Sequence, residues 1–227
     1  FKSVFFFSFR EYRIRNVLDG IVLPKKNKPE IAVMNKKQQL RLEKYLDERP
    51  SVTSVGIAIS MYMGLRIGEV CALQWKEIDL EKRVLTVSKT IQRVQCRTGS
   101  KQTKLIITEP KSESSKRTIP IPDCLLPLLR RFKDNGEVYV VSGRKKPVEP
   151  RTMQYRFAKI LHNADLPSFH YHSLRHLFAT RCVELGFDVK TLSEILGHSS
   201  VEVTLNRYIH SDMERKRTCM SLLSKCA

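Results

Sequence analysis

Apolar residues recur at helical spacing over most of this chain, and segments of strand character interrupt that pattern only in its middle. Gly64, Gly186 and Gly197 stand where three apolar patterns stop, which is typical of helix C-termini. Ser199 and Glu202 have the spacing of a capping box. The first predicted helical segment, Phe1–Leu18, is the end of an amphipathic helix. The other predicted helices are Asn35–Asp47, Ser54–Met63, Ile67–Trp75, Leu125–Phe132, Pro150–Ala164, His172–Leu185, Thr191–Leu196 and a last helix that carries Tyr208.

Three β-rich segments lie in the middle of the chain, at Val84–Ser88, Leu105–Thr108 and Arg117–Ile121. We expect them to form one small antiparallel sheet, with Lys111 in the turn between its last two strands. The fold class predicted from the whole pattern is therefore mostly α with a small antiparallel β-sheet, an α+β fold.

The charge balance points to a polyanionic partner. The chain has 41 Lys and Arg against 23 Asp and Glu, a formal charge of +18 over 227 residues. The basic residues are interleaved with apolar segments, so they do not form a disordered tail. A lysine-rich soluble surface is the alternative, but an excess of this size favours nucleic acid as the partner.

Cysteine usage and hydropathy narrow the setting. The six cysteines include no Cys-x-x-Cys pair, which argues against a zinc or disulfide framework and fits a reducing cytoplasm. No apolar run reaches the length of a membrane span, so no membrane partner is expected. The apolar start, Phe1–Phe9, is too short for a signal peptide and arginines follow it at once. The chain begins without Met, which we interpret as the start of a fragment.

Two basic segments are candidates for contact with a DNA backbone. The first is a proline-punctuated linker with Lys25, Lys26 and Lys28. The second comprises Arg144, Lys145, Lys146 and Arg151. Each can equally be a solvated loop.

Several side chains have the chemistry needed to cleave a phosphodiester. Such a reaction must neutralise the nonbridging oxygens, supply a nucleophile and protonate the leaving oxygen. Guanidinium groups suit the first task, and Arg66 and Arg175 are the candidates. Arg66 can instead cap helix carbonyls or pair with Glu69, a structural role that is evenly matched with the functional one.

The remaining roles fall to other polar residues. Tyr208 is the candidate nucleophile. His172 lies one helical turn from Arg175 and can accept the tyrosine proton, while His198 can donate to a nonbridging oxygen. Lys111 is the candidate proton donor to the leaving 5′ oxygen, with Lys116 or Lys104 as substitutes. His176 is interpreted as a buried histidine that orients its neighbours.

Two other interpretations use the same segments. His172 and His176 have the i, i+4 spacing of zinc ligands, but Arg175 between them repels a cation and no third ligand is evident, so no metal and no cofactor are predicted. Val189–Ser200 followed by a helix resembles a helix-turn-helix of a binding-only regulator. That interpretation leaves Arg66, Lys111 and the pair His172 and Arg175 unexplained.

Five motifs in order resemble those of the tyrosine recombinases, or phage-type integrases: Gly-Leu-Arg-x-Gly-Glu, a turn lysine, His-x-Leu-Arg-His-x-Phe-Ala-Thr, Leu-Gly-His and Asn-Arg-Tyr. The resemblance covers Asn35 to His210. It implies a catalytic set around the nucleophile, with Glu69 supporting the first arginine. The implied catalytic residues are Arg66, Lys111, His172, Arg175, His198 and Tyr208. An additional run, Ser112–Ser115, follows Lys111 and makes this lysine the least secure assignment.

The resemblance also implies a domain plan. Residues 1–23 would be the end of a core-binding-domain helix, 24–34 a basic interdomain linker and 35–210 the catalytic domain. Residues 211–227 would be a tail that docks on a neighbouring protomer, although it can equally fold back on its own domain. The general pattern is similar to integrases of conjugative transposons, so the chain is interpreted as a catalytic fragment of such an integrase.

The implied function is site-specific recombination of double-stranded DNA through a 3′-phosphotyrosyl intermediate, which integrates and excises a mobile element. Four protomers would assemble on two duplexes and pass through a Holliday junction, with a possible directionality factor. The expected location is the bacterial cytoplasm, at the nucleoid. A type IB topoisomerase and a non-catalytic DNA-binding regulator are the alternatives.

Overall fold

The structure, a computed structural model, describes residues 34–95, 103–109, 115–134, 136–198 and 200–208, together with Arg217 and Ser221. The helices in this part are α1 Lys36–Glu48, α2 Val52–Met63, α3 Ile67–Ala72, α4 Leu126–Phe132, α5 Pro150–Asn163, α6 His172–Glu184, α7 Val189–Leu196 and α8 Val201–Tyr208. The strands are β1 Ile78–Asp79, β2 Val84–Val87, β3 Thr90–Gln95, β4 Thr103–Thr108 and β5 Arg117–Pro120. The prediction of a mostly helical α+β fold is confirmed.

Side-chain caps decide where three helices begin. Asn35 caps α1 in a capping box, exchanging hydrogen bonds of 2.9 Å with Gln38 in both directions. The predicted starts of α2 and α7, at Ser54 and Thr191, are wrong by two residues. Ser51 and Asp188 accept hydrogen bonds from the backbone N–H groups of those two residues, so each helix starts just after its cap.

The predicted end of α3 at Trp75 is also wrong, because the helix ends at Ala72. The backbone then pairs with a distant segment: Val140 N–H donates to Leu73 O, and Trp75 N–H donates to Val138 O, both at 3.0 Å. Long-range backbone pairing therefore replaces the last helical turn.

The strands form two sheets instead of the single sheet expected. β2 lies between β1 and β5 in one antiparallel sheet, while β3 and β4 form a separate antiparallel pair from Thr90↔Thr108 to Gln95↔Thr103. Strand β3 was not among the β-rich segments predicted from the sequence. Since β4 and β5 belong to different sheets, they do not form the predicted hairpin around Lys111, and Lys111 itself lies outside the described residues.

The core is built around α2. Val55, Ile57 and Ile59 are fully buried, because α2 packs against α3, α4, α5 and α6. Tyr171, just before α6, donates to Gly56 O at 3.1 Å and shares a 2.9 Å hydrogen bond with Ser60 Oγ. These hydrogen bonds tie the middle of α2 to the start of α6. None of the described helices has the length and apolar character to cross a membrane.

Candidate active site

Arg66 follows the end of α2. Gly64 ends that helix with a left-handed backbone, φ 69° and ψ 19°, and Arg66 is the residue before α3. Arg66 Nη1 donates to Glu69 Oε1 at 2.8 Å, and its Nη2 donates to Gly197 O at 2.9 Å. The Arg66 side chain stays 37% exposed, so its guanidinium reaches the protein surface.

Arg175 is buried in the middle of the molecule, with 2% exposure. Its Nη1 donates to Gly64 O at 2.8 Å and its Nη2 to Leu196 O at 2.7 Å. Both acceptors are carbonyls at helix C-termini, which lack partners within the helix and carry partial negative charge. Arg175 therefore joins the ends of α2 and α7.

His198 follows the end of α7 in a Schellman motif. Gly197, with φ 63° and ψ 51°, donates its N–H to Glu194 O at 3.0 Å, and the His198 N–H donates to Ser193 O at 3.1 Å. The His198 Nδ1 lies 2.7 Å from the hydroxyl of the buried Thr204 on α8. The ring is thus tied to the helix that ends at Tyr208.

Arg117 on β5 was missed by the sequence analysis. Its Nε donates to Ile195 O at 2.6 Å, and its side chain is 6% exposed. The three consecutive carbonyls of Ile195, Leu196 and Gly197 therefore accept from three different arginines. Arg117 lies two residues before the buried Ile119, on the same face of the strand. A charged residue at a position that faces the core needs partners there, and this was the sign in the sequence that Arg117 is held by other residues.

Glu69 links two of these arginines. Its Oε1 accepts from Arg66 Nη1 and from Arg117 Nη1, the latter at 3.1 Å, while its Oε2 accepts from the Arg66 backbone N–H and from Arg117 Nη2 at 3.0 Å. Burial of the carboxyl opposes its charge, but the hydrogen bonds and the positive charges of Arg117 and Arg66 outweigh burial and lower the pKa of Glu69. The group is an ionised carboxylate in a mostly buried position.

His172 and His176 occupy different environments on α6. His172 is exposed at the first position of the helix, and His176 is buried one turn later. Their rings pack edge to face, with centroids 4.6 Å apart. Within the described residues, no group of three His, Cys, Asp or Glu side chains is arranged to hold a metal ion.

The candidate DNA-binding residues Arg144, Lys145, Lys146 and Arg151 are all exposed. Arg151 lines a surface cavity that it shares with His172 and the aromatic rings of Tyr155 and Phe169. The structure therefore brings one of these cations beside a predicted catalytic histidine.

Other predicted residues lie outside the described part: Lys111, the linker residues Lys25, Lys26 and Lys28, the segments 1–23 and 24–33, and nearly all of the tail 211–227. For Tyr208 the structure describes only its place in α8. Lys116 and Lys104 are the alternative candidates for the proton donor. Lys116 pairs with Glu109 at 2.6 Å, and Lys104 is exposed on β4.

Comparison with known proteins decides the family. The model of the phage integrase family matches residues 32–215. The chain belongs to the phage integrase family. The resemblance found in the sequence is thereby confirmed, and the family is that of the tyrosine recombinases.

Named relatives include recombinases of several kinds. The XerC-like tyrosine recombinase of Caldanaerobacter subterraneus subsp. tengcongensis is 33% identical over 180 residues, covering 71% of this chain and 46% of that protein. The transposase from transposon Tn916 of Enterococcus faecalis is 26% identical over 235 residues, covering 95% of this chain and 55% of that protein. The chain spans about half the length of the curated relatives it matches.

Among solved structures, this integrase-family chain is similar to the integrase of transposon Tn1549 in complex with a circular intermediate DNA. The TM-score is 0.77 at 26% identity, and the match covers 98% of this chain and 76% of that one. The fold is therefore that of a tyrosine recombinase catalytic domain.

Proposed function

We propose that this chain is the catalytic part of a site-specific DNA recombinase that cuts and rejoins strands through a 3′-phosphotyrosyl intermediate. The observation that carries the proposal is the junction at the end of α7. There Arg66 and Arg175 donate to adjacent carbonyls, and His198 follows directly in the chain. Two fixed guanidinium groups beside an imidazole suit the nonbridging oxygens of a phosphodiester.

The proposed reaction is a transesterification. The Tyr208 oxygen attacks phosphorus, the new O–P bond forms, and the bond from phosphorus to the 5′ oxygen breaks. His172 accepts the tyrosine proton, and Lys111 protonates the leaving 5′ oxygen. Attack by a 5′ hydroxyl from a partner strand then reverses the step. The phosphotyrosyl link conserves the energy of the phosphodiester bond, so the exchange needs no ATP.

Arg66 and Arg175 would stabilise the charge that develops on the nonbridging oxygens, with His198 donating a further hydrogen bond. Both arginines are held by protein carbonyls and, for Arg66, by Glu69. Pre-organised donors of this kind need no rearrangement when the transition state forms.

DNA is the proposed partner, with element ends or attachment sites as the substrate. The charge of +18 and the exposed side chains of Arg144, Lys145 and Lys146 support this proposal. We assign backbone contacts to Arg144, Lys145, Lys146 and Arg151, and to the linker lysines. His176 orients His172, as their edge-to-face packing suggests.

The proposed assembly is a homo-tetramer on two duplexes, assisted by a directionality factor, in the nucleoid of a bacterium. Residues 1–23, 24–34, 35–210 and 211–227 would serve as the end of a core-binding domain, linker, catalytic domain and exchanged tail. Relatives named as the ICEBs1 integrase of Bacillus subtilis and the Tn916 transposase support a role in a mobile element.

A covalent-trapping assay tests this function. The chain and its Tyr208→Phe variant are incubated, in the presence of a chelator, with nicked duplexes that tile the DNA on both sides of its gene. We expect a protein–DNA adduct on a denaturing gel for the unmodified chain and none for the variant. Tight, salt-sensitive binding without any adduct would refute the catalytic proposal and favour the regulator.

A second assay separates the recombinase from a topoisomerase. Supercoiled plasmid with and without the trapped site is incubated with the chain, together with a labelled duplex that carries the site. Strand exchange into the labelled duplex supports recombination. Relaxation that ignores the site and yields no exchange would contradict it.

A further inference from the structure

All three nitrogens of the Arg117 guanidinium donate to protein partners. Its four hydrogen bonds go to Ile195 O, Ser115 O and both carboxylate oxygens of Glu69. The side chain is 6% exposed, so these bonds to protein are largely shielded from water. Arg117 can therefore act on the site through the groups that it holds.

The first of these groups is Glu69. Each of its oxygens accepts from Arg117 and from Arg66, so the carboxylate is clamped between two arginines. Without Arg117, Arg66 would be the one cationic partner left to the buried carboxylate among the described residues, and the Arg66 side chain is 37% exposed. The pKa of Glu69 would rise, and a protonated carboxyl would lose one of its acceptor positions for Arg66.

The second group is the end of α7. Arg117 holds the carbonyl of Ile195, and the next two carbonyls hold Arg175 and Arg66. The three acceptors belong to consecutive residues, so a shift of the Ile195 carbonyl displaces the adjacent peptide planes, which carry the acceptors of the other two arginines. His198 follows immediately along the chain.

We propose that Arg117 is a positioning residue of this active site. It fixes the position of the Arg66 side chain through Glu69. Through the end of α7, it fixes the positions of Arg66, Arg175 and His198. The inference rests on the proposed strand-cleavage function. A displacement of about 1 Å at a reacting centre can cost about 100-fold in rate, so loss of this support is expected to be visible in cleavage.

The test compares Arg117→Lys and Arg117→Met with Arg41→Lys in the full chain. Arg41 forms an exposed ion pair with Asp165 at 2.7 Å and serves as the matched control. Lysine keeps the charge of Arg117 but cannot bond Ile195 and both oxygens of Glu69 at once. The readouts are the rate of adduct formation on the trapped duplex, DNA affinity, and the pH profile of the cleavage rate.

We expect adduct formation to slow about 100-fold in Arg117→Met and about 10-fold in Arg117→Lys, with DNA affinity and the control unchanged. The acid limb of the pH profile should move to higher pH in Arg117→Met, since the pKa of Glu69 rises. In a Glu69→Gln background that movement should vanish. A purely structural role would instead lower binding and cleavage together and leave the acid limb in place.

The outcomes separate the two proposals. If the unmodified chain forms no adduct, the strand-cleavage function is refuted, and the positioning role, which depends on it, is refuted as well. If it forms adducts and both Arg117 variants cleave at the same rate with the same acid limb, only the positioning role is refuted. Should Arg117→Met fail to fold, Arg117→Lys alone decides, and its cleavage at the unmodified rate refutes the role.

Discussion

Replacement of Gly64 by alanine tests the packing that brings the arginines together. Gly64 has φ of 69°, and a Cβ at this position would lie 2.5 Å from Phe178 Cδ1 and 2.9 Å from Leu196 Cδ2. Its carbonyl accepts the hydrogen bond of Arg175. The substitution therefore adds backbone strain and a steric clash at the point where α2, α6 and α7 meet.

The expected loss of stability has two parts. A left-handed conformation costs an alanine about 1–2 kcal/mol. Overpacking of a close-packed site costs a further ~1–3 kcal/mol, since the phenyl ring of Phe178 and the side chain of Leu196 must both move. The total of about 2–5 kcal/mol corresponds to a melting temperature lower by roughly 4–20 °C for a domain of this size.

Gly186→Ala is the matched control. Gly186 has φ of 82°, and nothing lies within 4 Å of the Cβ that alanine would add. This variant should lose only the strain part, about 1–2 kcal/mol. Urea denaturation followed by circular dichroism gives both free energies of unfolding, and their difference isolates the clash. Equal losses in the two variants would refute the close approach of Phe178 and Leu196 to Gly64.

Tyr171→Phe removes the hydroxyl that bonds Ser60 Oγ and Gly56 O, so it should cost about 1–3 kcal/mol in urea denaturation, and an unchanged midpoint would contradict this. The lowered pKa of Glu69 means that its contribution to stability is complete above its unfolded pKa of about 4.3 and is lost as pH falls through the folded pKa. Thermal unfolding across pH should therefore show an acid-side loss that Glu69→Gln reduces, and identical pH curves would count against it. DNA affinity measured by fluorescence anisotropy should fall linearly on a log–log plot against salt, whereas a flat plot would argue against binding through phosphate contacts.

Local signals in the sequence were sufficient for most of the helices and for the family. Asn35 and the glycines at 64 and 197 mark helix ends through capping chemistry that depends only on nearby residues. The order of the five motifs identified the family, because five short motifs in one order are far more specific than any one of them. The division of the strands into two sheets was not predictable in this way, since β3 and β4 pair through backbone groups that every residue carries.

The site shows the same division. The sequence by itself determined which side chains can bind a phosphate, because the charge and donor geometry of Arg66 and Arg175 belong to the residue type. Only the tertiary structure decided that these two and Arg117 meet at three successive carbonyls at the C-terminal end of α7 and its cap residue Gly197. Those acceptors are backbone carbonyls that have no partner within the helix because the helix ends there. Every residue carries such a carbonyl, so the sequence does not show which distant side chain will donate to it.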